Sequence, residues 1–445
     1  MIEICAIGGY NEIGKNMTAI KIDDEVVIID MGLHLDSYIK YTEEEQEDIV
    51  EKSAAQLSRV GAIPDDSVIK EWRKKVKAII PTHAHLDHVG ALTFLSNKYE
   101  APILCTPFTG EVIKTISNDE KIKLKNEIKI LNVNAVYYIS DKIKIEFINM
   151  THSTPQTVMV AVHTPEGIIL YANDFKFDNH PTLGKKPNYK RLEELGKSGI
   201  KVLICDCTRA RQPIKTPSEL VAKEMLRDVM LGVDSKGKAV IVTTFASHLA
   251  RLKSIVEFGK KMNRKIVFFG RSLAKYTKAG ENIGLVNFSK EVEIVNFGKQ
   301  IKKRLKKIEK DGIEKYLLVV TGHQGEPKST LSKMVDGIIP FKFHSEDHVI
   351  FSCTIIPSEI NIQNRAELER RMREHGVRIF RDIHASGHAS REDLRDLLNL
   401  VVPKNIIPAH GEEDMKEALV DLAVEKGYKK GKTVHLVNDG DKISF

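Results

Sequence analysis

The stretch PTHAHLDHVGAL (81–92) places His83, His85, Asp87 and His88 within six residues. Imidazole nitrogens and a carboxylate suit Zn²⁺ or a similar borderline divalent ion. Alternation puts His83 and His85 on one side of the chain, and Asp87 and His88, a step further on, can face a second ion. Two ions about 4 Å apart lower the pKa of a shared water, so that hydroxide is available at neutral pH. Four ligands on one loop do not complete such a site; other strand ends must supply the rest. His152 follows the apolar run KIEFINM, Asp174 closes IILYAND, and His410 closes IIPAH. Each is flanked by small or turn residues, as a rim built from strand ends requires.

The elements that position these groups come in two kinds. Over the first 205 residues short β-rich runs dominate: EVVIID (25–30), KAIIPTH (77–83), PILCT (102–106), IKIEFIN (143–149), TVMVAVH (157–163) and GIILYAND (167–174). The last two are joined by TPEG, a hairpin-type turn. From about 209 strands alternate with helices: KAVIVTTF leads into SHLARLKSIVEFGKKMN, and RKIVFFG, KYLLVVTG and DHVIFSC follow. That alternation predicts a parallel sheet. After about 383 the pattern returns to short pieces, NIIPAHGE (405–412) and KTVHLVNDGDKISF (432–445). An α/β module is therefore expected within a sheet-rich one. The charge-rich segment 36–75 reads as a helical surface excursion, and its Trp72 as a local packing group.

A chain of 445 residues with 42% hydrophobic and 29% charged residues fits two to three globular domains. It has no apolar run of about eighteen residues, so no membrane span is expected. The N-terminus MIEICAIGGY runs straight into a strand-like alternation without a basic leader; the expected compartment is the cytoplasm. Five cysteines without framework spacing read as reduced and buried. Cys205 and Cys207, two apart in a strand, face one way and read as packing groups more readily than as ligands. A net charge of +7 is compatible with a polyanionic partner.

The segments GGYNEIGKNM (8–17), DMGL (30–33), THAHLDHVGAL, THSTPQT, YANDFKFD, DCTRA, FGRSL, TGHQGEPKSTL, HASGHASREDL and PAHGE span almost the whole chain. Together they resemble the metallo-β-lactamase superfamily, its β-CASP nucleic-acid-processing branch, and within that the ribonucleases J of archaeal type. The resemblance implies an α/β fold, a metallo-β-lactamase αβ/βα sandwich at 1–208 and 381–445 with an inserted β-CASP α/β domain, a parallel sheet flanked by helices, at 209–380. It implies two Zn²⁺ per subunit, with Mn²⁺ or Mg²⁺ able to serve in activity. His83, His85 and His152 would hold one ion, Asp87, His88 and His410 the other, and Asp174 would bridge them.

The activity implied is 5′→3′ exonucleolytic hydrolysis of single-stranded, 5′-monophosphorylated RNA by a homodimer, releasing 5′-mononucleotides. A related endonuclease, a DNA-directed nuclease and a non-catalytic RNA-binding scaffold are the rivals. His388 would serve as general acid or phosphate stabiliser, with Asp206 orienting its ring and Asp87 completing the catalytic set. For substrate contacts, the small-residue loops offer His384, Ala385, Ser386, Gly387 and His388, and Gly322, His323, Gln324 and Gly325. Ser352 would sit near the 5′-phosphate. Ser247, His248, Arg251, Arg271 and Ser272 lie at strand-to-helix junctions, where arginine can grip phosphate. A solvated helix face accounts for the basic run 299–310 as well as an RNA track does.

Overall fold

A computed structural model describes residues 1–44 and 53–445. The chain divides into two compact units, the first comprising residues 1–179, 184–216 and 386–445, the second 180–183 and 217–385.

The first unit is built on two mixed sheets, one of seven strands and one of six. Period-two alternation explains their stacking. In the strand Ile2–Gly8, Ile2, Ile4 and Ala6 join one apolar cluster, whereas Cys5 and Ile7 join another. The first of these clusters also takes Ile145 and Phe147 from Lys144–Asn149 and Val202 and Ile204 from Ile200–Asp206. It is the layer between the two sheets. Leu92 and Phe94 cover the outer face of the seven-stranded sheet, and Leu394, Leu397 and Leu419 that of the six-stranded one. Four layers result, helix, sheet, sheet and helix, the αβ/βα sandwich.

Strand direction then creates a rim. In the six-stranded sheet Gly167–Ala172, Ile200–Asp206 and Asn405–Ala409 run parallel, and Lys144–Asn149 shares their direction through two antiparallel steps. Their carboxyl ends therefore lie side by side. Val76–Ile80, in the other sheet, leads into the histidine loop.

The second unit carries a six-stranded sheet in which every pairing is parallel. Helices such as Leu249–Lys261 and Glu359–Glu374 connect its strands, as the alternation required. Inside it Arg251, fully buried, is clamped by Glu219 through Nε (2.6 Å) and Nη2 (2.8 Å).

All five cysteines are free and buried. Cys205 packs with Leu203 on the helix-covered face, and burial pushes its thiol well above the ordinary value. The 36–75 segment is less of an excursion than its composition suggests. Residues 45–52 lie outside the described ones, but Leu57, Ile63, Ile69 and Trp72 are buried against the seven-stranded sheet. The amines of Lys21 and Lys442 cover the Trp72 ring. Among the described residues no helix is long and apolar enough to cross a membrane.

Candidate metal centre and its surroundings

The seven predicted ligands converge in the first unit. His83, His85, His152 and Asp174 form one group, and Asp87, His88, Asp174 and His410 another, with the ligating atoms of each within 4.8 Å of one another. His83 Nε2 lies 3.1 Å and His152 Nε2 3.0 Å from His85 Nδ1. Burial holds all three imidazoles well below their ordinary pKa, hence neutral, with lone pairs available. Three nitrogens with one proton per ring cannot satisfy one another at that separation while their other nitrogens donate elsewhere. The spacing is close to the ~3.3 Å between nitrogens at tetrahedral zinc.

Asp174 joins the two groups. Its Oδ2 is 3.4 Å from His83 Nε2 and 3.3 Å from His88 Nε2, and its Oδ1 is 3.5 Å from His410 Nε2. Asp87 Oδ2 completes the second group, 3.6 Å from His88 Nε2 and 3.7 Å from His410 Nε2. Buried Asp174 Oδ1 has no hydrogen-bond donor. An orphaned carboxylate oxygen in a nest of imidazoles is what a cation would satisfy. The electrostatics agree: burial works against a charge on His88, yet Asp174, Asp30 and Asp87 raise it well above its ordinary value. So much negative charge around one ring calls for positive charge. The donor set fits two borderline divalent ions, with Asp174 shared.

The backbone aims these groups. Asp174 and His410 directly follow, or nearly follow, strand ends and adopt φ of 54° and 57°, a left-handed conformation that is uncommon outside Gly, Asn, Asp and His. The turn swings each side chain off the sheet toward the rim.

Each histidine of the two candidate groups is fixed through its second nitrogen, a support that sequence reading missed. His88 Nδ1 donates to Asp30 Oδ2 at 2.8 Å, and Asp30 is held in turn by Thr82 N at 2.8 Å. Thr82 Oγ1 is 3.0 Å from His83 Nδ1, and Ser153 Oγ 3.4 Å from His85 Nε2. His152 Nδ1 donates to the Gly387 carbonyl at 2.8 Å. A Cβ at Gly387 would come within 2.7 Å of that same nitrogen, so only glycine fits there. The Asn16 amide faces His410 Nδ1 with both Nδ2 (2.8 Å) and Oδ1 (3.0 Å), Oδ1 being the atom that can accept from an Nδ1–H, while Nδ2 donates to the Asp87 carbonyl at 3.1 Å. Asn16 and Asp30 stand in the GGYNEIGKNM and DMGL segments, which the sequence singled out without a role. Asn16→Ala is expected to weaken metal binding by about 10–100-fold while leaving the fold intact. Titration of the apoprotein with Zn²⁺ in competition with a chromogenic chelator checks this.

Beside the ligands stands a further pair. His388 Nδ1 donates to Asp206 Oδ2 at 2.9 Å, and Asp206 Oδ1 accepts from Thr208 N at 2.8 Å. The His388 ring lies 5.0 Å from that of His152 and 5.7 Å from that of His410, centroid to centroid. Burial opposes a charge on it, but Asp206 and Asp174 prevail and raise its pKa to about 9. The side chain retains 24% exposure, against none for Asp206, so the ring faces outward on a buried carboxylate.

The predicted substrate contacts fare differently. Ser386, Gly387 and His388 belong to the first unit, at the metal centre; His384 and Ala385 belong to the second. Gly387 acts on His152 through its carbonyl, a task the loop's small residues did not announce. Arg251 and Ser352 are not open to a phosphate in this structure. Both are fully buried, and Arg251 Nη1 donates to Ser352 Oγ (2.9 Å) and to the Ile383 carbonyl (3.0 Å). Ser247 and His248 are also buried, His248 capping the helix Leu249–Lys261 and pairing with Glu219. Gln324 is spent internally, donating to the Thr354 carbonyl and accepting from Ile356 N. A Cβ at Gly325 would meet the Asn364 carbonyl carbon at 2.5 Å, so the TGHQGE glycines at Gly322 and Gly325 serve packing and positive φ (123° and 81°). His323 gives its carbonyl to Arg365 Nη1. Arg271 and Ser272 alone of this set are exposed, at the start of Arg271–Asn282.

Comparison with known proteins agrees with this anatomy. Residues 11–205 match the metallo-beta-lactamase superfamily, 237–366 the ribonuclease J beta-CASP domain, and 374–436 the Zn-dependent metallo-hydrolase RNA specificity domain. A ribonuclease J of Methanocaldococcus jannaschii is 42% identical over 445 residues, covering 100% of this chain and 99% of its own. One from Pyrococcus abyssi is 43% identical over 447 residues, with coverage of 100% and 97%. The chain belongs to the ribonuclease J family. Ribonuclease J 1 of Streptococcus pyogenes, 31% identical, shares all of this chain but only 74% of its own length. A protein of unknown function from Enterococcus faecalis, 16% identical, shares the fold with a TM-score of 0.65 and 99% coverage of both chains. Membership makes the protein a metallo-hydrolase nuclease of the ribonuclease J type and gives the His/Asp cluster its class.

Proposed function

We propose that this ribonuclease J family member is a zinc-dependent 5′→3′ exoribonuclease that hydrolyses single-stranded, 5′-monophosphorylated RNA to 5′-mononucleotides. The observation that carries this reading is the twin ligand set sharing Asp174, with the His388–Asp206 pair at its side. The RNA specificity match over 374–436, which takes in His388, supports RNA as substrate. Bound at this centre, two divalent ions supply a water of lowered pKa and counter-charge for the phosphate oxygens.

The rest falls to the chain's own residues. Asp206, dehydrated and fixed by Thr208, holds the proton of His388 on Nδ1 and favours the charged ring. Nε2–H is then free to donate. In-line attack at phosphorus breaks the bond to the 3′-oxygen of the terminal nucleotide. His388 gives that oxygen its proton, leaving a mononucleotide with a 3′-hydroxyl and a shortened RNA with a new 5′-phosphate. Gly387, one residue before the acid, fixes His152 through its carbonyl, which ties the acid's position to the ligand set.

The test uses the purified protein with Zn²⁺ or Mn²⁺ and RNA bearing a 5′-monophosphate, a 5′-triphosphate or a 5′-hydroxyl. Mononucleotides are expected from the first time point, fastest from the monophosphate. Internal fragments preceding mononucleotides would show an endonuclease instead, and equal rates on all three ends would remove the terminal-phosphate requirement.

A further inference from the structure

The helix Gly298–Asp311 in the second unit is amphipathic in an unusual way. Ile301, Leu305 and Ile308 are buried in the unit's apolar core. Lys299, Lys302, Lys303, Lys306, Lys307 and Lys310 are all exposed. Their spacing follows the i, i+3, i+4 rule, so they form one continuous stripe with seven like-charged neighbours at three or four residues. With Arg304 the helix holds seven basic side chains against Glu309 and Asp311, a net +5 where the whole chain has +7.

The stripe is also unneutralised. Among the described residues no acidic side chain comes within 4.0 Å of any of the six amines. Other helices of this chain show the opposite habit: Lys197 pairs with Glu193, Lys261 with Glu257, Arg370 with Glu367 and Arg395 with Glu392. Arg304, off the stripe, is itself paired with Glu293. Like charges at this spacing work against the helix, which the apolar face must therefore hold in place. A polyanion laid along the stripe would relieve that repulsion and release its own counterions.

We infer that the lysine face of Gly298–Asp311 is a binding surface for the phosphate backbone of single-stranded RNA, separate from the metal centre's own contacts. The choice of RNA rests on the proposed function above; the choice of a polyanion rests on the stripe alone. Lysine, a flexible point charge, suits backbone contacts without sequence preference.

The experiment measures binding of a labelled 5′-monophosphorylated 20-nucleotide RNA to the full chain by fluorescence anisotropy, with EDTA present so that nothing is cut. The variant K302Q/K303Q/K306Q/K307Q is compared with a control carrying the same charge change at exposed lysines outside the RNA-specificity match, K74Q/K77Q/K123Q/K125Q. At 50 mM KCl the first is expected to bind at least about tenfold more weakly than wild type. Its log K against log salt slope should be shallower by about 3, four lost phosphate contacts at ~0.7 each. Equal losses in both variants, or no loss in the first, would overturn the proposal. So would a loss confined to a poly-glutamate probe, which would point to an acidic protein partner. These outcomes are independent of whether the wild-type protein cleaves RNA, so failure of this surface and failure of the proposed activity are told apart. Circular dichroism confirms that the exposed substitutions leave the helix folded.

Discussion

Replacing Asp174 by alanine is expected to remove at least one of two bound metal ions per chain and to lower RNA hydrolysis by at least ~10³-fold. Its two oxygens address histidines of both groups, Oδ2 toward His83 and His88 and Oδ1 toward His410. Among the described residues no other carboxylate reaches both: Asp87 serves only the second group. The variant leaves five converging imidazoles with less negative charge to balance a second cation. Metal content of the desalted protein by elemental analysis, beside turnover of labelled RNA, reads both effects. The isosteric Asp174→Asn separates charge from shape, since it keeps one oxygen acceptor and removes the charge. If either variant retained two ions and full turnover, the shared-ligand geometry would carry no function.

The convergence of the seven candidate ligands was legible because chemistry and spacing coincide locally. His83, His85, Asp87 and His88 announce themselves within six residues, and His152, Asp174 and His410 sit where apolar runs end. A run of alternating or continuous apolar residues locates a strand to within a residue or two, as at Lys144–Asn149 and Gly167–Ala172. Parallel neighbours then bring strand ends to one rim. The supporting shell was not legible, because its partners are remote in sequence and ordinary in type. Nothing in an asparagine at 16 says that it faces a histidine at 410, 394 positions away.

Arg251 shows the converse error. An arginine opening a helix after a strand looks the same in sequence whether it meets phosphate or a carboxylate. Glu219, 32 residues upstream at the start of another helix, decides the matter by taking the guanidinium into the core. A buried Arg–Glu pair of this kind is costly to break and serves the packing of the unit. The same blindness covers Gln324, whose amide completes two backbone bonds that no local pattern encodes.

His388→Ala is expected to keep both metal ions and to bind RNA within a few-fold of wild type, while turnover falls by about 10²–10⁴-fold. The argument is one of position. His388 belongs to neither of these two groups, although with Asp206 and Asp174 it forms a third cluster of ligand-type atoms; its ring lies 5.0 Å from that of His152 and 5.7 Å from that of His410, and a buried carboxylate holds its Nδ1 proton. A ring so placed would reach a phosphate held at the two groups without being one of their ligands, and the variant's metal content tests that separation. The pH profile makes the role specific. As an acid the ring must carry its proton, so wild-type turnover falls as pH rises through its pKa. That value stands at about 9 beside Asp206 and Asp174, and two bound cations move it downward from there. The alkaline limb should therefore lie at or below about 9 in the wild type and be missing from the variant. Asp206→Asn, which removes the charge but keeps an acceptor oxygen, should move that limb to lower pH with metal content unchanged. Metal-replete His388→Ala protein that turned over normally, with the same alkaline limb, would place the proton donor elsewhere.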